Sequence, residues 1–254
     1  MKEAIQYYKK CLARRRGASL LLTLFGVTFL GVSLHLFLQR RPSGGMIALL
    51  YLLIFLVLPL VEEVLHLKLP LLAYALIFFL TFGSLLGGNY NFYLRIPFWD
   101  TALHALAGLL FSFVGYALCK LLFPIYRSNS IFPYILAGFI FSLSIALLWE
   151  LFEAGITAFM LVDMQEDTLV HHIKSFYLSG THDYPVHLQG ITETVIYYGE
   201  GQILRIPGYL DLGLADTVAD MAVCLLGNLA FLLLFPLDKF FRGRLLPFIL
   251  PKIL

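Results

Sequence analysis

Apolar residues fall into six long blocks, near residues 17–38, 46–66, 69–88, 100–123, 131–160 and 212–235, separated by polar or proline- and glycine-containing stretches. A hydrocarbon core ~30 Å thick needs about 20 apolar residues in an α-helix. Each block reaches or nearly reaches that length. The pattern predicts an all-α fold, a polytopic membrane helix bundle of about six transmembrane helices with one long extracytoplasmic loop. The first block follows Lys9, Lys10, Arg14, Arg15 and Arg16, as a signal peptide would. It outruns the usual ~7–15-residue apolar region and ends without a small-residue cleavage site, so it reads as a retained helix. The second and third blocks are joined through Glu62, Glu63, His66, Lys68 and Pro70. That joint predicts a helical hairpin with a solvated turn and with Pro70 opening the return helix. Pro42-Ser43-Gly44-Gly45 reads as a short outer turn.

Composition agrees with the pattern and changes it little. The 254 residues are 60% hydrophobic and 13% charged, against about 45–50% and about 25% in an average soluble domain. Residues 1–238 are expected to form one integral membrane domain. Residues 239–254, with Lys239, Arg242, Arg244 and Lys252 among Leu, Phe and Ile, are expected to form a basic interfacial tail on membrane lipids. The net charge is +2 and the basic residues are clustered, which speaks against a nucleic-acid partner. Cys11, Cys119 and Cys224 are isolated from one another and read as small apolar residues rather than as a disulfide framework.

Lysine and arginine set the orientation. With six spans and the N-terminus in the cytoplasm, 13 of the 18 basic residues fall inside; only Arg40, Arg41, Arg95, Lys174 and Arg205 fall outside. The positive-inside rule favours that arrangement, a multi-pass protein of the cell membrane with both termini cytoplasmic. The segment from about 163 to 211 is then extracytoplasmic, and it is long beside the ~2–8 residues usual between bundled helices. It carries His171, His172, His182, Asp183 and His187, followed by β-like runs at 192–198 and 202–206 around Gly199-Glu200-Gly201, the pattern of a hairpin. An amphipathic interfacial segment is the alternative reading.

Ionisable residues inside these blocks are the candidate chemistry. A charged side chain within a membrane helix costs ~2.5–3.5 kcal/mol on insertion scales, so it persists where it is paired, bound to metal or turned to a polar cavity. Asp100 and His104 are four apart, Glu150 and Glu153 three apart, and Asp216 and Asp220 four apart, so each pair shares one helical face. In the topology above, all three pairs lie at the same outer level. Asp100 stands near a helix start, where capping is the alternative role. The last helix continues its polar face to Gly227 and Asn228, and Gly227 suits close helix packing. Five carboxylates in one pocket repel one another unless some are protonated or a cation compensates. Carboxylates with one imidazole suit a divalent metal such as Mg²⁺, Mn²⁺, Ca²⁺, Zn²⁺ or iron. The candidate ligands are Asp100, His104, Glu150, Glu153, Asp216 and Asp220, and the candidate catalytic groups are His104, Glu150 and Asp216. A proton-shared network, or one bridged by Arg95, is the alternative.

The motifs D-x-x-x-H at Asp100 and His104, W-E-x-x-E at Trp149 to Glu153, and D-T-x-x-D at Asp216 to Asp220 with a downstream Gly-Asn resemble the VanZ-like superfamily of small bacterial membrane proteins. Asp163-Met164-Gln165, Gly208-Tyr209-Leu210-Asp211 and Asp216-Thr217 are similar to segments of a Gram-positive branch of it. The resemblance covers roughly residues 46–235. It implies cell-envelope biology, since VanZ itself is associated with low-level glycopeptide resistance, and it supplies no reaction. The long loop after Glu153 and the second acid, Asp220, depart from VanZ.

Three functions fit these residues. One is a metal-dependent hydrolase or transferase at the outer leaflet, acting on a lipid or lipid-linked envelope substrate with His104 or a loop histidine as general base. No G-x-S-x-G or H-E-x-x-H motif accompanies it. Another is a non-enzymatic envelope or resistance factor that binds a lipid headgroup or a partner protein. The third, an ion transporter, is disfavoured because the polar stripe stays in the outer half and inverted repeats are absent.

Overall fold

A computed structural model describes residues 16–123, 130–160 and 162–253. Lys9, Lys10, Cys11, Arg14, Arg15 and Arg127, used above for topology and cysteine chemistry, lie outside the described residues. The described chain is mostly helical. In order it forms α1 (Arg16–Leu38), α2 (Pro42–Val64), α3 (Leu71–Asn89), the short α4 (Phe92–Arg95), α5 (Trp99–Leu122), α6 (Phe132–Phe159), the short α7 (Phe176–Ser179), α8 (Leu214–Phe240) and the short α9 (Leu246–Ile249). Among the described residues six helices, α1, α2, α3, α5, α6 and α8, are long and apolar enough to cross a membrane. They match the six apolar blocks to within a few residues at each end. This is a polytopic membrane protein.

The chain divides into two compact units, Met1–Ala146 with Val223–Leu254, and Leu147–Ala222. In the first unit, α1 buries Ala18, Leu22, Phe25, Phe29, Ser33 and Leu36, spaced three or four residues apart, against α2 and α3. Phe25 stacks on Phe78 at 3.9 Å between ring centroids, and Phe29 packs edge-on against Phe78 and Phe82. The opposite face of α1 is apolar too: Leu20, Leu24, Val27, Leu30 and Leu34 are exposed, Leu20 at 72%. A helix apolar all round needs an apolar surrounding on its outer side, which lipid provides.

Two local expectations are corrected here. Pro42 stands in the first turn of α2, so Gly44 and Gly45 are helical rather than part of an outer turn. They lie where a Cβ would strike the Asn89 side chain and the Phe37 ring, and Arg41 Nη1 donates to Asn89 O across the same junction. Proline at a helix start loses no hydrogen bond, because that N–H is an orphan anyway. Glu62, expected in a solvated turn, is buried at 2% exposure. Its Oε1 accepts from Leu69 N at 2.6 Å and its Oε2 from Tyr74 Oη at 2.8 Å. The carboxylate therefore fastens the α2–α3 turn from inside. Charge-assisted bonds to an N–H and an O–H make that burial tolerable.

Glycines govern the contact among α5, residues 132–146 of α6 and residues 223–240 of α8. A Cβ on Gly108 would collide with the Cys224 carbonyl, on Gly227 with the Ala105 carbonyl, and on Gly138 with the Ser112 carbonyl. The backbones thus approach as closely as small residues allow. In the space between them Ser112, Ser142 and Asn228 are fully buried. Ser112 Oγ donates to Asn228 Oδ1 at 2.6 Å and lies 2.7 Å from Gly108 O. Asn228 Nδ2 donates to Phe139 O at 2.9 Å, and Ser142 Oγ to Gly108 O at 2.8 Å. Phe113, Tyr116 and Phe231 pack on the side of this node nearer the C-terminal end of α5.

After α8 the chain turns back on the same unit. Asp238 Oδ1 accepts from Leu245 N and Leu246 N, α9 packs on α3, and Lys252–Ile253 (β8) pairs antiparallel with Leu67–Lys68 (β1).

The second unit contains the long connection between α6 and α8. It holds three antiparallel pairs: β2 (Thr168–Val170) with β7 (Tyr209–Asp211), β3 (His172–Ser175) with β4 (Val186–Gln189), and β5 (Thr194–Tyr198) with β6 (Gln202–Ile206). The β5–β6 hairpin is the one expected from the sequence, with Gly199 and Gly201 both at positive φ in its turn. The other two pairs were not legible from alternation, because each strand has only three or four residues.

Asn228→Ala removes the amide that satisfies Ser112 and Phe139 O in a fully buried site. It is expected to lower stability by about 1–3 kcal/mol, read as a fall in thermal midpoint of the detergent-purified protein. Leu226→Ala, on the exposed side of the same helix, is expected to change it little.

Candidate functional site

Asp100 and His104 belong to the first unit and lie in the first two turns of α5. The start of that helix is fixed by its neighbours: Trp99 Nε1 donates to Gly83 O at 3.0 Å, and the indole lies between Phe79 and Phe92. Leu103 fills the space over Gly83, where a Cβ would lie 2.6 Å from it. Asp100 Oδ2 is 3.5 Å from His104 Nε2, with the two side chains 27% and 12% exposed respectively. That distance is long for a hydrogen bond and short enough for an ion pair when the imidazole is protonated. The sequence expectation that this pair shares one face is met. Arg95, the candidate bridging cation, is exposed in α4.

Glu150, Glu153, Asp216 and Asp220 belong to the second unit. Glu150, Glu153 and Asp220 are buried, at 5%, 8% and 4% exposure. Trp149 Nε1 donates to Glu153 Oε1 at 2.8 Å along the same helix, which explains one carboxylate of the W-E-x-x-E motif through its own tryptophan. Asp216 is partly buried, and its Oδ2 accepts from Glu166 N at 2.9 Å. Among the described residues of this unit taken alone, no three carboxylate or imidazole groups converge closely enough to hold one ion.

The second unit instead shows how the first turn of α8 is positioned. Gln165 Nε2 donates to Thr217 Oγ1 at 2.7 Å, Met164 N to Thr157 Oγ1 at 3.0 Å, and Ala215 N to Asp211 Oδ1 at 2.9 Å. Asp211 thereby caps an amide that the helix leaves open. Gly213 has φ +89°, and a Cβ there would lie 2.6 Å from Gln165 Cβ, so the turn into α8 requires glycine on two counts. Gln165, Thr157 and Asp211 were not among the predicted site residues. The short segments that hold Gln165 and Asp211 carried the family resemblance, and that was the available signal for them; Thr157 lies outside those segments.

The loop histidines separate into two places. His171, His172 and His187 line a shallow depression of about 520 Å³ together with Lys174, Gln189 and Gly190. His171 Nδ1 lies 2.8 Å from Ile191 O, and the His172 and His187 rings are 6.4 Å apart. His182 is elsewhere, against Phe176.

Gly213→Ala is expected to cost about 1–3 kcal/mol through the positive φ and the contact with Gln165. Faster amide hydrogen exchange at Glu166 and Ala215 would report the loosened first turn of α8.

No curated protein and no solved structure matches this chain. A family profile does match, and it spans residues 19–238, from the first membrane helix almost to the end of the last. The chain belongs to the family described as predicted membrane protein (DUF2238).

Proposed function

We propose that the protein is a membrane-embedded, divalent-metal-dependent enzyme acting on a phosphoryl or acyl group of a lipid or lipid-linked envelope substrate. In this reading the site faces the extracytoplasmic side and both termini lie in the cytoplasm. The ligands are Asp100, His104 and Asp220, with Glu150 as the proton acceptor. Glu153, held by Trp149, and Asp216, holding the Glu166 amide, support them.

The observation that carries the reading is the helix register inside the first unit. Ser112 bonds Asn228 and Gly108 meets Cys224, each pair 116 positions apart. His104 and Asp100 stand one and two turns from Gly108 toward the start of α5. On α6 the contacts run the other way: Gly138 meets Ser112 and Ser142 meets Gly108. Regular α-helices keep such a register over a few turns, since each turn adds 3.6 residues to all three. The glycine contacts thus hold Asp100 and His104 on a helix of fixed register, and an inward imidazole and carboxylate on such a helix are groups from which bundles build metal sites.

A divalent ion in such a set supplies a Lewis acid and lowers the pKa of a bound water. The chain's own contribution is to hold the imidazole beside Asp100 and to exclude bulk water with the surrounding apolar turns. Glu150, in an apolar stretch, is suited to take up a proton. The resemblance to VanZ-like proteins supports an envelope setting for the substrate.

Elemental analysis of detergent-purified protein, after loading with Mg²⁺, Mn²⁺ or Zn²⁺ and desalting, tests this. The parent is expected to retain one divalent ion per chain. His104→Ala and Asp220→Asn are each expected to lose it, with unchanged circular dichroism, while Glu150→Gln keeps it. A parent that retains no metal, or variants that retain as much as the parent, would overturn the reading.

A further inference from the structure

We infer that the groove beneath the α2–α3 turn is a headgroup site for an anionic phospholipid, with Lys68 and Lys252 meeting the lipid phosphate. The groove lies wholly in the first unit, has a volume of about 430 Å³ and includes Lys68, Pro70, Leu71, Pro247, Phe248 and Lys252 in its lining. That volume is within the ~300–1,000 Å³ of small-ligand sites.

Three observations point to a phosphate-bearing lipid. First, β1 and β8 pair so that Lys68 stands directly opposite Lys252, and both side chains are exposed. Residues directly opposite have Cβ atoms ~4.5–5.5 Å apart, and like charges there destabilise a two-stranded pair unless an anion lies between them. Second, among the described residues no acidic side chain lines the groove, and the nearby Glu62 is turned inward onto Leu69 N and Tyr74 Oη. The described residues of the groove thus offer the lysines no anion of their own. Third, the groove adjoins the turn between two membrane helices, which places it at headgroup depth. Its other walls are proline, leucine and phenylalanine, suited to a glycerol backbone and the first methylenes of acyl chains. Two ammonium groups and apolar walls at that depth complement an anionic lipid. A free phosphate would use the lysines and leave the apolar walls unmatched.

The full-length protein, reconstituted in pure phosphatidylcholine or in equimolar phosphatidylcholine and phosphatidylglycerol, tests the site by two readouts. Electron spin resonance of spin-labelled phosphatidylglycerol against labelled phosphatidylcholine measures selectivity. The parent is expected to hold one class of phosphatidylglycerol on the order of tenfold more tightly; the double variant K68Q/K252Q loses that class, and K68R/K252R keeps it. K174Q/R205Q, with the same charge change in the second unit, behaves as the parent. Thermal midpoints give the reciprocal result. In phosphatidylcholine the double glutamine variant is at least as stable as the parent, because the lysine repulsion is gone. With phosphatidylglycerol the parent gains stability and the variant does not. Equal selectivity in parent and K68Q/K252Q, or an equal loss in K174Q/R205Q, overturns the proposal. Displacement of the labelled lipid by inorganic phosphate alone would assign the lysines to a soluble anion and overturn the lipid assignment.

Discussion

The first unit depends on satisfying polar groups where no water can reach them. Asn228 carries an amide with two donors and an accepting oxygen into the middle of a membrane helix, and Ser112 and Ser142 add hydroxyls beside it. In hydrocarbon each unmet group costs several kcal/mol. The solution is geometric: Gly108, Gly138 and Gly227 remove side chains at the crossings, so that backbone carbonyls of Gly108 and Phe139 come within reach of the buried donors. The same glycines that permit the bonds also lock the helices in register, because a slip of one residue would drive a Cβ into a carbonyl. The polar node therefore acts as a gauge for everything nearer the helix starts, including the levels of Asp100 and His104.

Glu62 meets the same constraint at the other end of that unit. A carboxylate next to the membrane surface has the option of pointing to water, and the sequence reading took that option for it. The fold instead uses Glu62 to satisfy an amide that the two-residue strand at Leu67 and Lys68 leaves near the start of α3, and a tyrosine hydroxyl one turn into that helix. Composition gives no hint of this choice, because Glu62 and Glu63 are chemically identical neighbours. Only the packing of Tyr74, fully buried, separates them.

Much of the helical architecture was legible, for a physical reason: lipid imposes a length and a hydrophobicity on each span that no tertiary contact can override. Helix boundaries were less so. Pro42 was read as a turn residue although its place at a helix start is equally favourable, and Pro236 sits inside α8, which continues to Phe240. Face sharing by Asp100 and His104, and close packing at Gly227, followed from helical spacing alone. The partners of Asp216 and Asp211 did not, since they are set by the path of a loop whose strands are too short to show alternation, whereas Glu153 meets Trp149 one turn away on its own helix. The segments 163–165, 208–211 and 216–217 are far apart in sequence, yet Gln165, Asp211 and Thr217 all act on the first turn of α8. Resemblance singled out those segments without saying why they belong together. The hydrogen bonds supply the reason: they fix where that helix begins, and hence which of its turns presents Asp216 and Asp220.

The two ends of α3 lie beside different charged groups, with Arg41 and Arg95 at the far end as well. The start of α3 lies by Lys68 and Lys252, and its far end lies by the start of α5, where Asp100 and His104 stand. Lysine and arginine on one face of a membrane protein are held there by the insertion process and by anionic lipid, and they cost little because their long side chains reach the headgroups. Aspartate has no such reach. A short carboxylate in the first turn of an apolar helix, as Asp100 is, relies on a proton, a hydrogen-bond donor or a cation nearby. The two ends therefore differ in what they ask of their surroundings. In the proposed reading, a small ion or a substrate group is the complement of Asp100 and His104.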